Sequence, residues 1–305
     1  MLLDRISSQT GLSDGYLLNL AMSAGHQYKI YQIPKRQGGT RTIAHPSRRV
    51  KFLQRWLVQN LIGNLPVHSA ATAYQPGASI KQNAEAHVSN NFLLKLDFKD
   101  FFPSITANDV IAHLVRSAGH LSFELSPQDR ILVARIVTRQ GAIPIGAPSS
   151  PVFSNQIMYE FDLRLHNICN SIGVSFTRYA DDLFFSTNEP NLLSGVHRSV
   201  QSLLNEIAFP RLRLNAPKTV YTSRRRRRVV TGIILTSDRK LSLGRKQKRY
   251  VRSLIYRLQS NQLPPEKVDY LSGYLAYAQS VEPSYLDSLR AKFGVALLDA
   301  VMGKS

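Results

Sequence analysis

Ser175-Phe-Thr-Arg-Tyr-Ala-Asp-Asp-Leu-Phe-Phe-Ser186 reads as two short β-strands joined by a turn, and it carries two adjacent acids, Asp181 and Asp182. Successive side chains on a strand point to opposite faces. A hairpin tip is therefore where both carboxylates can approach one group of cations. Aspartate is also a favoured turn former, so the pair alone leaves a plain acidic turn open. The decision rests on whether the rest of the chain supplies a third ligand and a place for a substrate.

Upstream, Phe92-Leu-Leu-Lys-Leu-Asp97 is an apolar strand that ends on an acid, closed by Phe98-Lys-Asp-Phe-Phe-Pro103. Residues 107–140 read as mostly helical, 141–151 as a Gly/Pro-rich loop and 152–170 as helical again, with a further helix at 190–207 after the acidic hairpin. This order predicts an α+β core with helices on one face of a mainly antiparallel sheet. In such a sheet Asp97 can lie beside Asp181 and Asp182. Three carboxylates held close repel by about 4 kcal/mol per pair at ~4 Å and an effective dielectric of ~20, so the group calls for divalent cations. Hard oxygen ligands select Mg²⁺, and two such ions can activate a hydroxyl and stabilise a leaving pyrophosphate.

The flanks add a basic setting. Residues 1–25 read as a short helical start, and Tyr28–Ile33 with Arg36–Ile43 as a hairpin around a Gly-Gly turn whose basic residues suit phosphate. Val50, Leu53, Leu57 and Leu61 recur at helical spacing, with Lys51, Arg55 and Gln59 off that face. Val229–Leu235 reads as a strand, Arg245–Gln259 as a basic helix and 268–298 as helical.

The 305 residues are 43% hydrophobic, enough for a sizeable core in one large domain or a few subdomains. No apolar run is long enough to span a bilayer, and the first residues lack the order of a signal peptide. The single Cys169 excludes an internal disulfide, and the expected location is the cytoplasm. Lys and Arg number 39 against 20 Asp and Glu, a net charge of +19. Between Pro217 and Ser260 fourteen residues are basic and only Asp238 is acidic, so this segment alone carries +13. Charge this concentrated repels itself unless a polyanion is bound, and nucleic acid is the expected partner rather than a membrane surface.

Asp97-Phe-Lys-Asp-Phe-Phe102, Ile143-Pro-Ile-Gly-Ala-Pro-Ser-Ser-Pro151, Tyr179-Ala-Asp-Asp182 and Lys218 occur in the order and spacing of the palm motifs of reverse transcriptases, which the chain resembles. Asn83-Ala-Glu-Ala-His87 and Val230-Thr-Gly232 resemble signatures of the bacterial retron type. Arg41-Thr-Ile43, Pro46-Ser47 and Leu271-Ser-Gly-Tyr-Leu275 are similar as well, so the resemblance spans roughly residues 28–280. It implies a right-hand polymerase with an N-terminal segment and fingers at 1–91, an antiparallel-sheet palm at 92–239 with a helical insertion near 107–140, and a helical thumb at 240–305.

The resemblance further implies that Asp97, Asp181 and Asp182 hold two Mg²⁺ ions, with Lys218 beside the leaving pyrophosphate. Phe102 matches the aromatic gate against a ribose 2′-hydroxyl, although core packing also explains an aromatic there. Arg41 and Lys35 match the triphosphate clamp, and Gly146 and Ala147 the backbone approach to the nucleotide. Ile145 departs from the pattern, because most relatives carry Gln there. The RNA surface implied comprises Asn83, His87, Arg224, Arg225, Arg226, Arg227, Arg228, Val230, Thr231, Gly232, Arg245, Lys248, Arg249 and Arg252, the last four on one wet face of the basic helix.

As a retron-type enzyme the chain is expected to take dNTPs and copy part of a structured non-coding RNA of the msr-msd type into single-stranded DNA (msDNA). Synthesis would start from a guanosine 2′-hydroxyl, with a separate effector protein as partner in antiphage defence. The competing expectations are another prokaryotic reverse transcriptase, group II intron-like or abortive-infection-like, and an inactive RNA-binding scaffold.

Overall fold

The structure is a computed structural model, and it describes residues 1–34 and 38–303. In chain order the helices are α1 (Leu2–Thr10), α2 (Asp14–Ser23), α3 (Arg48–Leu57), α4 (Ile80–Val88), α5 (Ala107–Arg116), α6 (Pro127–Val137), α7 (Ser150–Ile157), α8 (Tyr159–Ser171), α9 (Leu192–Glu206), α10 (Arg245–Gln259), α11 (Pro265–Val281), α12 (Pro283–Phe293) and α13 (Val295–Val301). The strands are β1 (Tyr28–Pro34), β2 (Thr40–Pro46), β3 (Phe92–Asp97), β4 (Ser175–Tyr179), β5 (Asp182–Thr187), β6 (Val220–Ser223), β7 (Arg228–Val230), β8 (Ile233–Leu235) and β9 (Leu241–Ser242).

Helix starts follow local chemistry. Ser47, Ser79, Thr106 and Ser126 each accept a hydrogen bond from the backbone N–H three residues on, and Asp109 and Asp129 complete capping boxes for α5 and α6. The apolar series from Val50 to Leu61 is buried as its spacing predicts, although α3 relaxes into a π-helical turn at Val58–Ile62 before reaching Leu61.

The chain forms two compact units. The first holds Met1–Pro76, Lys95–Leu183 and Ser194–Thr219; the second holds Gly77–Leu94, Phe184–Leu193 and the chain from Val220 onward. The boundaries fall inside β3 and β5, so residues 92–239 are shared between the units. A four-stranded sheet runs in the order β4-β5-β3-β6, which places the acidic hairpin next to the strand that ends at Asp97. In the first unit β1 and β2 pair antiparallel from Tyr28 opposite Pro46 to Pro34 opposite Thr40. In the second, β7, β8 and β9 form an antiparallel sheet against which α4 packs, and α10 to α13 pack in succession.

Two expectations need correction. The segment read as one strand at 229–235 is a tight hairpin, because Thr231 and Gly232 both take positive φ, 45° and 90°, and reverse the chain between β7 and β8. The helical stretch at 152–170 is broken at Met158 into α7 and α8.

The first unit is organised around a buried ion pair. Arg178 on β4 and Asp162 on α8 have no exposed surface, and the guanidinium donates from Nε and one terminal nitrogen to the two carboxylate oxygens at 2.7 and 2.6 Å. Its other terminal nitrogen donates to Asn155 Oδ1 at 3.1 Å and to the Ala180 carbonyl at 3.2 Å. The Arg178 backbone N–H donates to the Ala70 carbonyl, and its carbonyl accepts from Thr72. A buried charge stripped of its partner is costly. Asp162→Ala should therefore lower the unfolding free energy by about 3–5 kcal/mol in a urea titration; a loss below about 1 kcal/mol would show that Arg178 does not depend on this carboxylate.

Candidate active site

The acidic turn is built by backbone geometry as much as by side chains. Ala180 sits at φ 56°, a left-handed conformation uncommon for a residue with a Cβ, and it turns the chain between β4 and β5. Its carbonyl is the one held by Arg178. Asp181 follows in the turn and its carbonyl accepts from the Phe98 N–H at 3.0 Å, which ties the hairpin tip to the residue after Asp97. Asp182 opens β5.

Each flanking carboxylate is met by a lysine. Lys218 Nζ donates to both oxygens of Asp97 at 2.9 Å, and Asn215 reaches the same residue twice, from Nδ2 to Oδ1 at 3.1 Å and from its N–H to the Asp97 carbonyl at 2.7 Å. Lys95 lies two residues before Asp97, hence on the same face of β3, and its Nζ is 2.8 Å from Asp182 Oδ1. Neither Lys95 nor Asn215 was marked by sequence reasoning; the signal for Lys95 was its period-2 spacing to Asp97.

The electrostatics reflect crowding of like charge. Burial raises the Asp181 carboxyl and the Asp97 charge adds to it, against its own backbone hydrogen bond, Lys218 and Arg41. Burial also pushes Asp182 up to about 6, opposed by Lys95 and reinforced by the charges of Asp181 and Asp97. The hydrogen bond to Asp97 raises Lys218, which keeps that ammonium protonated. Among the described residues no three acidic, His or Cys side chains are gathered closely enough to enclose an ion as they stand. Lys218 and Lys95 take up carboxylate oxygens that an ion would need. The donor chemistry nevertheless fits a hard divalent cation, because buried carboxylates raised by one another's charge are relieved by one.

A cavity of about 300 Å³ belongs to the same unit. Arg41, Lys51 and Arg55 give it a cationic side, and Tyr74, Phe102 and the loop from Ile145 to Pro148 complete it. Phe101 is buried and stacks on Phe98, whereas Phe102 is half-buried, lines the cavity and lies 6.4 Å from the Tyr74 ring. Packing thus accounts for Phe101 and leaves Phe102 facing the space. Gly146 has φ 114°, and a Cβ there would come within 2.8 Å of Ile43 Cγ2 and 2.9 Å of the Ala44 carbonyl oxygen, so only glycine lets the loop cross β2 this closely. The Ala44 N–H donates to the Ile145 carbonyl at 2.8 Å, and the Ile145 side chain adds an apolar patch to the lining.

Tyr74 was missed by sequence reasoning. It takes φ 60°, an outlier for an aromatic residue, and burial and the nearby Asp181 carboxylate raise its phenol. Lys35 lies outside the described residues.

Several residues expected at an RNA surface are placed elsewhere. Asn83 and His87 share a face of α4 as their spacing predicts, but both are fully buried, so their side chains cannot reach RNA. His87 Nδ1 is 2.7 Å from Ser186 Oγ, its ring lies against Phe184, and desolvation holds its pKa down at about 3, which keeps the imidazole neutral. Val230 and Arg228 are also buried; the Arg228 guanidinium donates to the carbonyls of Asn90 and Thr236. Thr231 Oγ1 donates to the Ile80 carbonyl at 3.1 Å, pinning the β7–β8 turn to the start of α4. Lys248 is paired with Glu282, which removes it from the open basic face. Arg224, Arg225, Arg226, Arg227, Arg245, Arg249 and Arg252 are exposed.

The raised Asp182 carboxyl has a defined signature. Unfolded, the group titrates near ~3.9; folded, at about 6. Its contribution to stability is fully present below the lower value and is lost as pH rises through the higher one. Metal-free wild type should therefore lose thermal stability between about pH 4 and 6 more steeply than Asp182→Asn, and Mg²⁺ at pH 7 should raise the Tm of wild type more than that of the variant. Superimposable Tm profiles of the two proteins would refute this account.

The family described as reverse transcriptase (RNA-dependent DNA polymerase) matches residues 33–272. The Retron Ec83 reverse transcriptase of Escherichia coli is 38% identical over 282 residues, covering 90% of this chain and 89% of the relative. The Retron Ec73 reverse transcriptase of the same organism is 34% identical over 298 residues, covering 94% and 93%. Among solved structures, the telomerase of Candida albicans superposes on 90% of this chain and 60% of its own with a TM-score of 0.49 and 12% identity. With that extent of match across both compact units, the chain belongs to the reverse transcriptases, RNA-directed DNA polymerases of α+β fold, and within them to the bacterial retron type.

Proposed function

We propose that this reverse transcriptase copies part of a structured msr-msd-type RNA into single-stranded DNA, starting from a guanosine 2′-hydroxyl, with Asp97, Asp181, Asp182 and Lys218 at the reacting phosphates. The observation that carries the reading is the pairing of two features in one unit: three acids carried at the end of β3 and on the β4–β5 turn, and a cationic, aromatic-walled cavity lined by Arg41, Tyr74 and Phe102. Priming from the 2′-hydroxyl and the role in antiphage defence with an effector protein rest on the resemblance to retron enzymes.

Each residue has a defined task. Arg41, Lys51 and Arg55 bind the triphosphate of an incoming dNTP, arginine through paired N–H donors. Phe102 and Tyr74 wall the sugar, and a flat ring at Phe102 leaves no room for a ribose 2′-hydroxyl. The cavity offers the nucleotide Ile145 in place of the family's usual Gln, so polar contacts there fall to the backbone at Gly146 and Ala147. Asp97, Asp181 and Asp182 are the residues that would hold the Mg²⁺ ions. Bound there, these ions supply Lewis-acid activation of the attacking hydroxyl and charge neutralisation of the leaving pyrophosphate. Lys218, kept protonated by Asp97, stands ready to give its proton to that pyrophosphate. Metal there would take the carboxylate oxygens that Lys218 and Lys95 hold in this structure. The exposed arginines at 224–227, 245, 249 and 252 grip RNA phosphates, with affinity that falls as salt rises.

The purified chain, its cognate RNA, dNTPs and Mg²⁺ should yield DNA covalently joined to RNA through a 2′-5′ branch, and Asp181→Asn/Asp182→Asn should reduce that product to background. Unbranched product would point to another priming class, and undiminished yield from the double variant would sink the assigned chemistry. Phe102→Ala should lower the preference for dNTPs over rNTPs by roughly tenfold or more in single-nucleotide incorporation.

A further inference from the structure

Four tyrosines in the second unit form a continuous row that the chemistry above does not use. Tyr270, Tyr274 and Tyr277 recur at i, i+4 and i+7 along one stripe of α11, and Tyr250 on α10 meets the first of them. Consecutive ring centroids are 6.0 Å apart for Tyr250 and Tyr270, 6.1 Å for Tyr270 and Tyr274, and 5.6 Å for Tyr274 and Tyr277. Helix packing accounts for Tyr274 and Tyr277, which are half-buried; burial and the neighbouring tyrosines raise the Tyr274 phenol. It does not account for Tyr250 and Tyr270, which keep 40% and 42% of their surface exposed. Gln247 Nε2 donates to the Tyr270 hydroxyl at 2.9 Å and fixes that ring.

The charge around the row selects the occupant. Lys267 Nζ lies 5.8 Å from the Tyr270 ring centre, and Arg245, Lys246 and Arg249 are exposed on α10. Glu282, which lies beside Tyr274, is already paired with Lys248; Glu266 and Asp269 are the acids at the start of α11. Exposed π-faces next to cations match the recurring arrangement of single-strand binding sites, in which cations follow the backbone and aromatic rings stack on bases. A duplex cannot use such faces, because its bases are covered by their neighbours and offer only groove edges and phosphates.

We propose that Tyr250 and Tyr270, continued by Tyr274 and Tyr277, form a stacking platform for unpaired nucleotides of the RNA template or of the DNA product. The inference deepens the polymerase reading and rests on it. Base stacking is the chemistry shared by both strands, so the test has an RNA arm and a DNA arm.

Full-length protein is titrated against labelled twelve-nucleotide U and dT strands, a hairpin duplex, and an abasic strand of equal length. Tyr250→Ala/Tyr270→Ala should weaken binding of the U strand, the dT strand or both by about tenfold or more, and the arm that responds identifies the strand. Binding of the duplex and the abasic strand should change less than about twofold, and Tyr250→Phe/Tyr270→Phe should bind as wild type does. Equal losses on the abasic strand or the duplex, or a Phe variant as weak as the Ala variant, would overturn the proposal. Extension of a pre-annealed primer separates the two readings: if wild type extends nothing, the polymerase reading fails while the binding comparison still stands or falls by itself.

Discussion

The acidic corner of this protein depends on one buried guanidinium. Arg178 enters the interior with its charge, and that is tolerable only because Asp162 meets it through two short hydrogen bonds while Asn155 and the Ala180 carbonyl take the rest of its donors. Three elements, α7, α8 and β4, are thereby locked to the turn that carries Asp181 and Asp182. Ala180 pays for the arrangement with a left-handed backbone, and the carbonyl held by Arg178 keeps the turn from relaxing.

With the turn held, the second constraint is like charge. Sheet order brings the strand that ends at buried Asp97 beside the turn that carries half-buried Asp181 and Asp182, and partial burial weakens the screening of their charges. Lys218 and Lys95 answer from opposite directions, one from after β5 and one from within β3, so the site carries its own counterions before any metal arrives. The cavity repeats the logic, with Arg41, Lys51 and Arg55 facing a space whose other wall is aromatic.

The second unit uses charge differently. Its helices α10 and α11 leave arginines and two tyrosines partly in solvent, while Asn83 and His87 on α4 and Arg228 on β7, all assigned to RNA from sequence, are buried. His87, Asn83 and Arg228 have become structural. A neutral imidazole beside Ser186 and a guanidinium capping the Asn90 and Thr236 carbonyls tie the small sheet, α4 and β5 together.

Read from the chain alone, the order and spacing of Asp97, Phe102, Gly146, the Asp181-Asp182 pair and Lys218 were enough to identify the family, and the periodicities located the main helical stretches and the strands that carry the acids, but not β6, β9 or the breaks within residues 268–298. Both depend on short-range sterics: side-chain alternation in strands, the helical repeat, and the caps at Ser47, Thr106 and Ser126. Local pattern could not tell that Val230-Thr-Gly232 closes a hairpin, since a single left-handed threonine has no sequence signature. Nor could it separate a buried arginine from an exposed one within Arg224–Arg228, or Lys248 with its Glu282 partner from its free neighbours. Tyr74 in the cavity wall, Lys95 on Asp182 and the tyrosine row across α10 and α11 all join residues distant in sequence. Those pairings are decided only when the chain folds, because burial and charge pairing are properties of the packed neighbourhood, whereas strand and helix periods belong to the chain itself.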